Sequence, residues 1–280
     1  MKTWHFIIDV EKCENCNNCF LACKDEHCGN RWPGVAAEQP RHGHRWMNIH
    51  ARERGRFPVI DVAYLPMPCM HCADAPCIRA AADRSVFRRP DGIVIIDPEK
   101  ARGRKDLVKS CPYGAIWWNE EKGLPQKCTF CAHLMDDGWK SPRCVQACPT
   151  GALTAVCMDE TALAERIRAE KLETLSRGSE ATRPGVYYKN LHRFTRCFIA
   201  GSVATMASGV EECVPGATVT LHKAPNLVRT ATTDAFGDFK FDNLAEGSGE
   251  YRIEIAAPDG RLAEHTANLA ESCSIGTVWV

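Results

Sequence analysis

No stretch of these 280 residues stays apolar long enough to cross a bilayer, which takes about 20 consecutive apolar residues. The longest apolar segment near the middle, CFIAGSVATMASGV, is short and rich in small residues. The N-terminus, MKTWHFIIDVEKCENC, shows no secretory signal: the apolar run Phe6–Ile8 is too short, and no twin arginine precedes it. Charge of one sign is also missing, since 35 basic residues balance 35 acidic ones. That balance excludes the electrostatic footprint of a nucleic-acid binder and a polybasic membrane anchor. The chain is therefore expected to be soluble with no direct membrane insertion. It is expected to be cytoplasmic, or else periplasmic by co-export with a partner.

One further absence is local. The stretch KARGRKDLVKSCPYGAI, residues 100–116, ends in Cys111, Pro112, Tyr113 and Gly114. Such an ending closes the bacterial ferredoxin run C-x2-C-x2-C-x3-C-P. Counting back from Cys111, the three earlier ligand positions hold Ala101, Arg104 and Leu107. Cysteine is otherwise abundant, at 17 residues. Disulfide frameworks belong to small secreted domains, whereas repeated C-x2-C pairs followed by C-P read as metal or cluster sites.

Four motifs follow one another. The first is Cys13, Cys16, Cys19 and Cys23; the second is Cys69, Cys72 and Cys77; the third keeps Cys111 alone. The fourth is Cys128, Cys131, Cys144 and Cys148, with Pro149 after it. Zinc sites also use C-x2-C pairs. They need no C-P ending, however, and rarely carry three or four cysteines in one run. Three cysteines on a tight loop hold three corners of a cubane, and in two-cluster ferredoxins the fourth cysteine of each run serves the other cluster. Pairing the first motif with the fourth gives one site from Cys13, Cys16, Cys19 and Cys148. It gives a second from Cys23, Cys128, Cys131 and Cys144. Pairing the second motif with the third gives Cys69, Cys72, Cys77 and Cys111. The fourth site would need Ala81, Ala101, Arg104 and Leu107, none of them a ligand, and the expected proline is Ala82. Cys111 survives because it serves a different cluster from its lost neighbours. The losses fall on one site, so three 4Fe–4S clusters are expected. Ala81, Ala101 and Leu107 can fill part of the vacated volume, while Arg104 must be paired or reach solvent.

The fold class expected is α+β. Residues 1–157 form a tandem ferredoxin-like domain with a polar insertion at 24–66. Within it, WHFIIDVEKC and GIVIIDPEK repeat one pattern: apolar strand, D-x-E-K, cluster loop. Residues 158–197 form a connector. In it, residues 159–177 read as an amphipathic helix with Gly178 as its stop, and EATRPGVYYKNLHRF reads as extended. From 198 to 280, short alternating strands separated by PG, DAFGD, EGSGE and PDG argue a β-sandwich.

Four cysteine motifs in this order, with a long gap in the last, resemble the iron–sulfur electron-transfer subunits of the dimethyl sulfoxide reductase family. The resemblance covers residues 3–157, and TRPGVYYKNL resembles the segment that follows. The C-terminal stretch, with VPGATVTL, TTDAFGDFKFDNL and EYRIEIAAPDG, resembles a carboxypeptidase-regulatory-like or Cna B-type module. The resemblance implies a large catalytic partner subunit carrying molybdenum on a bis-pyranopterin guanine dinucleotide. It implies no catalytic residue on this chain. It also implies that the Cys13, Cys16, Cys19 and Cys148 cluster lies nearest that partner, and that the lost site lies at the far end, which suits a soluble heterodimer. The competing readings are a free-standing polyferredoxin shuttle, the small subunit of another soluble molybdoenzyme, a zinc-binding adaptor, and an enzyme whose own cluster binds substrate, the last disfavoured because each site counts four cysteines.

Other residues carry weaker signals. His71 lies between two ligands and can donate to a cluster sulfur or simply pack; His133 is similar. Trp117 and Trp118 read as core packing. Asp234 and Asp238 read as turn residues, since no EF-hand pattern surrounds them. Cys28, Cys157, Cys197, Cys213 and Cys273 fit no motif, and a Cys213–Cys273 disulfide would need an oxidising compartment. Three clusters predict iron and acid-labile sulfide each near about twelve per chain by chemical analysis; about sixteen would mean that the degenerate site still holds a cluster.

Overall fold

A computed structural model describes residues 1–175, 182–224 and 226–280. They form two compact units, Met1–His50 with Tyr64–Leu191 and Ala51–Ala63 with His192–Val280. Among the described residues no helix is long and apolar enough to cross a membrane.

The first unit is built around a three-stranded sheet. Its central strand, Thr3–Asp9, pairs antiparallel with Leu153–Met158 and parallel with Val186–Lys189. Burial deepens along the central strand, with Phe6 and Ile8 fully enclosed. Two short antiparallel ladders, Val86–Arg88 with Val94–Ile96 and Trp117–Asn119 with Leu124–Gln126, separate the cysteine loops. The repeat seen in sequence is a structural repeat as well. Asp9 accepts from the amide of Glu11 at 3.1 Å, and Asp97 accepts from the amides of Glu99 and Lys100 at 3.0 and 3.2 Å. Each aspartate turns the chain out of its strand and into the loop that follows.

The connector differs from its sequence reading in two places. Its helix is Glu160–Glu170, capped by Asp159, whose carboxylate accepts from the Ala162 amide at 3.0 Å. It ends where Lys171 takes a left-handed conformation, so Leu172 and Leu175 are buried in extended chain rather than on a helix face. Gly178, the expected stop, lies outside the described residues. The segment read as merely extended supplies the parallel strand Val186–Lys189. It also docks beside the second cysteine loop, where the amides of Ala73 and Asp74 donate to the carbonyls of Arg183 and Thr182 at 2.7 and 3.0 Å.

The second unit is a β-sandwich. One sheet centres on Cys197–Ala207, the apolar segment noted in the sequence. This strand pairs with Asp238–Leu244, Val210–Cys213 and Cys273–Trp279. The other sheet runs in the order Asn226–Thr232, Thr218–Lys223, Gly249–Ala256, Leu262–Leu269. Ile199, Val203, Phe239 and Phe241 from the first sheet meet Val219, Leu221, Ile253 and Ile255 from the second in one core. A Cys213–Cys273 disulfide is ruled out by register. Cys213 pairs opposite Ala204 and Cys273 opposite Ile199, on different neighbours of the strand. Five residues of strand separate them by roughly 17 Å, and a bridge needs Cα atoms within about 7 Å. Asp234 is a turn residue as expected, accepting from the amides of Phe236 and Asp238 at 2.8 and 3.0 Å.

The 24–66 insertion does not stay whole with the cluster unit: Ala51–Ala63, the outer part of the hairpin Asn48–Arg56 and Val59–Met67, groups with the sandwich. Arg54 explains why. Its side chain is fully buried, and its guanidinium donates to both oxygens of Asp242 at 2.8 and 3.0 Å and to Asp61 at 2.5 Å. Arg193 and Lys240 also reach Asp61, at 3.0 and 2.8 Å. Burial alone would push the Asp61 carboxyl up, but hydrogen bonds from Lys240 and Arg54 outweigh it and hold the group below its usual range. Gly55, at φ 83°, lies against the Val59 carbonyl and the Phe198 ring, where no Cβ fits.

A carboxyl whose folded pKa is lowered stabilises fully above its unfolded value, near about 4, and loses that contribution as pH falls below it. The network should therefore hold at neutral pH and fail in acid. Removing one partner of a buried ion pair costs about 3–5 kcal/mol. Arg54→Met should fall at the low end, about 3 kcal/mol, because Lys240 and Arg193 still face Asp61. Hydrogen exchange across residues 51–63 should accelerate accordingly at neutral pH; unchanged protection would show that the arginine does not pin the hairpin.

Candidate iron–sulfur centres

The three intact C-x2-C loops share one backbone device. The residue before the second cysteine is left-handed in each: Asn15 at φ 55°, His71 at 43° and Phe130 at 57°. Non-glycine residues rarely adopt this region, least of all bulky ones, and strain of this kind gathers at functional loops. It turns backbone amides toward sulfur. The His71 amide lies 3.5 Å from Cys69 Sγ, and the Phe130 amide lies 3.4 Å from Cys128 Sγ. A short helix then carries a further cysteine of each motif inward: Cys19 on Asn18–His27, Cys77 on Pro76–Arg79 and Cys144 on Arg143–Gln146.

The thiols gather in three groups that cut across the motifs. Cys13, Cys16 and Cys148 each act on the Cys19 thiol, and Cys148 and Cys16 on that of Cys13. Cys23, Cys128, Cys131 and Cys144 line one small cavity, closed by His27, Trp46, Met47 and Phe130. Cys69, Cys77 and Cys111 all act on Cys72. Burial is the first cause of a raised pKa throughout. It pushes Cys19, Cys72 and Cys131 up to about 12, Cys77 and Cys128 to about 11, and Cys23 and Cys144 well above the ordinary value. Thiolates in such places need a strong positive partner. A donor set made entirely of sulfur, in fours, suits iron–sulfur clusters. Among the described residues no three His, Cys, Asp or Glu side chains converge closely enough to hold a single metal ion.

Several neighbours escape sequence reasoning because they come from distant segments. Thr182, in the connector, hydrogen-bonds the Cys72 thiol and meets Tyr113 Oη at 2.7 Å. His27 places Nε2 4.0 Å from Cys131 Sγ, and burial followed by the His133 charge lowers its pKa to about 3, so the ring is neutral. His133 itself bonds Glu26 at 2.9 Å and stacks on Trp32. His71 turns its Nδ1 to the Val94 amide at 3.0 Å. Of the cysteines outside the motifs, Cys28 bonds the Gln39 carbonyl, Cys157 and Cys213 are exposed, and Cys197 is core.

The degenerate position keeps the loop shape without the ligands. Gly103, one residue before Arg104, has φ 77°, matching Asn15, His71 and Phe130. After Ala81, Arg84 at φ 58° occupies the place that Gly114 and Gly151 take after Cys111 and Cys148. The three turns are closed alike, by amides donating to the carbonyls of Ala81, Cys111 and Cys148 at 3.0, 3.1 and 3.4 Å. Ala81, Ala101 and Leu107 are buried, filling the position with carbon. Arg104 is half-exposed, so it both reaches solvent and is paired, by Asp83 at 2.5 Å, Asp106 at 2.8 Å and the Ala80 carbonyl at 2.9 Å.

Comparison with known proteins supports 4Fe–4S clusters on this chain. Residues 60–157 match the 4Fe–4S dicluster domain, and residues 199–272 match the carboxypeptidase regulatory-like domain. The chain is 46% identical over 269 residues to the pyrogallol hydroxytransferase small subunit of Pelobacter acidigallici, covering 95% of this chain and 94% of that one. The chain belongs to this family of iron–sulfur small subunits. It also resembles the Hdr-like menaquinol oxidoreductase iron–sulfur subunit 1 of Archaeoglobus fulgidus, at 29% identity over 68% of this chain and 84% of that one. The iron–sulfur subunit of the arsenate respiratory reductase of a Shewanella species is 26% identical over 65% of this chain and 94% of that one. A degenerate fourth motif and an appended β module together resemble the small subunit of pyrogallol–phloroglucinol transhydroxylase.

Retention of the loop at the degenerate site has a measurable consequence. Ala81→Cys, Ala101→Cys, Arg104→Cys and Leu107→Cys combined should raise iron from about twelve toward about sixteen per chain. An unchanged iron content would show that loop shape and four thiols do not suffice there.

Proposed function

We propose that this chain is the electron-transfer subunit of a molybdenum enzyme and carries three 4Fe–4S clusters. Cys13, Cys16, Cys19 and Cys148 would hold one. Cys23, Cys128, Cys131 and Cys144 would hold the second, and Cys69, Cys72, Cys77 and Cys111 the third. When bound, such clusters take up and release single electrons. The observation that carries the reading is the cavity lined by Cys23 from the first motif together with Cys128, Cys131 and Cys144 from the fourth. A chain of independent sites would have no use for that grouping.

The chain's own residues prepare these sites. The left-handed turns at Asn15, His71 and Phe130 present sulfurs and amides together. The apolar walls of Trp46, Met47 and Phe130 exclude water from the second group. Likeness to the Pelobacter acidigallici protein along nearly the whole chain supports a larger partner bearing molybdenum on a bis-pyranopterin guanine dinucleotide, and hydroxyl transfer between polyhydroxylated benzenes as its reaction. No catalytic residue is assigned to this chain. A soluble cytoplasmic heterodimer suits the loss of the site at the end where related enzymes meet a membrane partner. The domain division that goes with this reading is the cluster domain at 1–157, a connector, and the β-sandwich from 198, the last completed by the hairpin 51–63.

Crossed ligation is tested by single substitutions in the purified complex, read by electron paramagnetic resonance. Cys111→Ser should damage the same cluster as Cys72→Ser, although the two lie 39 positions apart. Cys23→Ser should damage the signal lost in Cys128→Ser. Three intact signals in Cys111→Ser would refute the assignment. Recovery with a hydrophobic membrane subunit, in place of one large soluble partner, would refute the assembly.

A further inference from the structure

Lys127 is almost completely buried, at 2% exposure, immediately before Cys128. Its Nζ donates to the carbonyl of Val94 and, at 3.1 Å, to that of Cys128. Both partners are neutral carbonyls, and a buried ammonium without a counter-charge is costly. Lys127 sits between two groups of thiols. Through the Cys128 carbonyl it holds the loop of one group, and through Val94, whose amide bonds His71 Nδ1 beside Cys72, it adjoins the loop of the other.

These two groups adjoin. Cys69 is the thiol that acts most strongly on Cys128, and the Cys69 amide also favours the Cys128 thiolate. A single residue, Val94, ties the neighbours together. Its amide donates to His71 Nδ1 in the Cys69–Cys72 loop, and its carbonyl accepts from Lys127. With Nδ1 accepting, His71 keeps its proton on Nε2 and stays neutral, its charged form disfavoured by burial and then by Lys127 and Arg88. Lys24 and Arg143 each act on a thiol of the second group, Cys23 and Cys131, and Arg88 is a cation beside the other. It reaches the carbonyls of Cys72 and Gly92 and couples to Cys72 and Cys77, both in one group. Lys127 differs in facing both groups.

We propose that Lys127 is a fixed counter-charge shared by the clusters of Cys69, Cys72, Cys77 and Cys111 and of Cys23, Cys128, Cys131 and Cys144. It raises the reduction potentials of both and leaves the cluster of Cys13, Cys16, Cys19 and Cys148 unaffected. Four thiolates leave each cluster net negative, and each added electron makes it more so. A nearby cation in a medium of low dielectric stabilises the reduced form. Lys127 is thus a positioning residue for charge and touches no substrate. The inference rests on the three-cluster reading above.

The test is a redox titration of the complex with its partner, followed by electron paramagnetic resonance, with iron measured on every sample. Lys127→Gln keeps a donor for the two carbonyls and removes the charge. At a fixed ambient potential it should raise the oxidised-to-reduced ratio of two clusters about tenfold, equivalent to about 59 mV for one electron. The third cluster should not move, and Lys127→Arg should titrate close to the parent. Unshifted potentials in Lys127→Gln, an equal shift of all three clusters, or Lys127→Arg behaving like Lys127→Gln would overturn the proposal. Iron lost from Lys127→Gln and kept in Lys127→Arg would uphold it, since the charge itself would be required. Iron lost from both would overturn it, since shape would be what matters. An unaltered complex with iron far from about twelve per chain would overturn the cluster reading, and this inference with it.

Discussion

A four-thiolate site cannot be closed by one tight loop. Three sulfurs reach the same point from a C-x2-C loop and the helix after it; the fourth must come from chain that has turned away and returned. That constraint organises the first unit. It explains why Thr3–Asp9, before the first motif, pairs with Leu153–Met158, after the last. It also explains why Cys23 lies with Cys128, Cys131 and Cys144 across a cavity they share. In these two groups a sequence distance of more than a hundred residues is bridged, whereas Cys69, Cys72, Cys77 and Cys111 lie within about forty positions of one another.

Buried charge is the second thread, and both units solve it by pairing. Thiols pushed up to about 11 or 12 by burial are costly as bare thiolates. Metal binding that displaces their protons is therefore coupled to folding. Lys127 is the opposite case, a buried cation held only by carbonyls and facing sulfur. In the sandwich unit, Arg54 is a cation enclosed by two carboxylates. At the degenerate motif Arg104, which is half-exposed, is paired with Asp83 and Asp106. The backbone there keeps the shape of the intact loops, with Gly103 left-handed and the turn after Ala81 closed by the Arg84 amide.

Much of this was legible in the sequence. Cysteine spacing is short-range information, so the loops, the D-x-E-K repeat and the lack of cysteine at Ala81, Ala101, Arg104 and Leu107 could be read directly. Strand alternation gave the sandwich. What escaped depends on contacts between distant residues. The partition of the 24–66 insertion turns on Arg54 meeting Asp242, a pairing 188 residues apart that no local pattern announces. Thr182 and His27 reach sulfur only through the tertiary fold. The helix read to residue 177 ends at Glu170 because Lys171 turns left-handed there, without glycine or proline to signal it. A periodic pattern that continues through Leu172 does not register that turn.

The central claim is that ligands cross between motifs and that one site of four is absent. Anomalous diffraction at the iron edge, from crystals of the complex, tests it most directly. The account predicts three iron peaks in this chain, one of them enclosed by Cys23, Cys128, Cys131 and Cys144, with no density beside Arg104. A peak beside Arg104, or one contacted only by cysteines of a single motif, would contradict it.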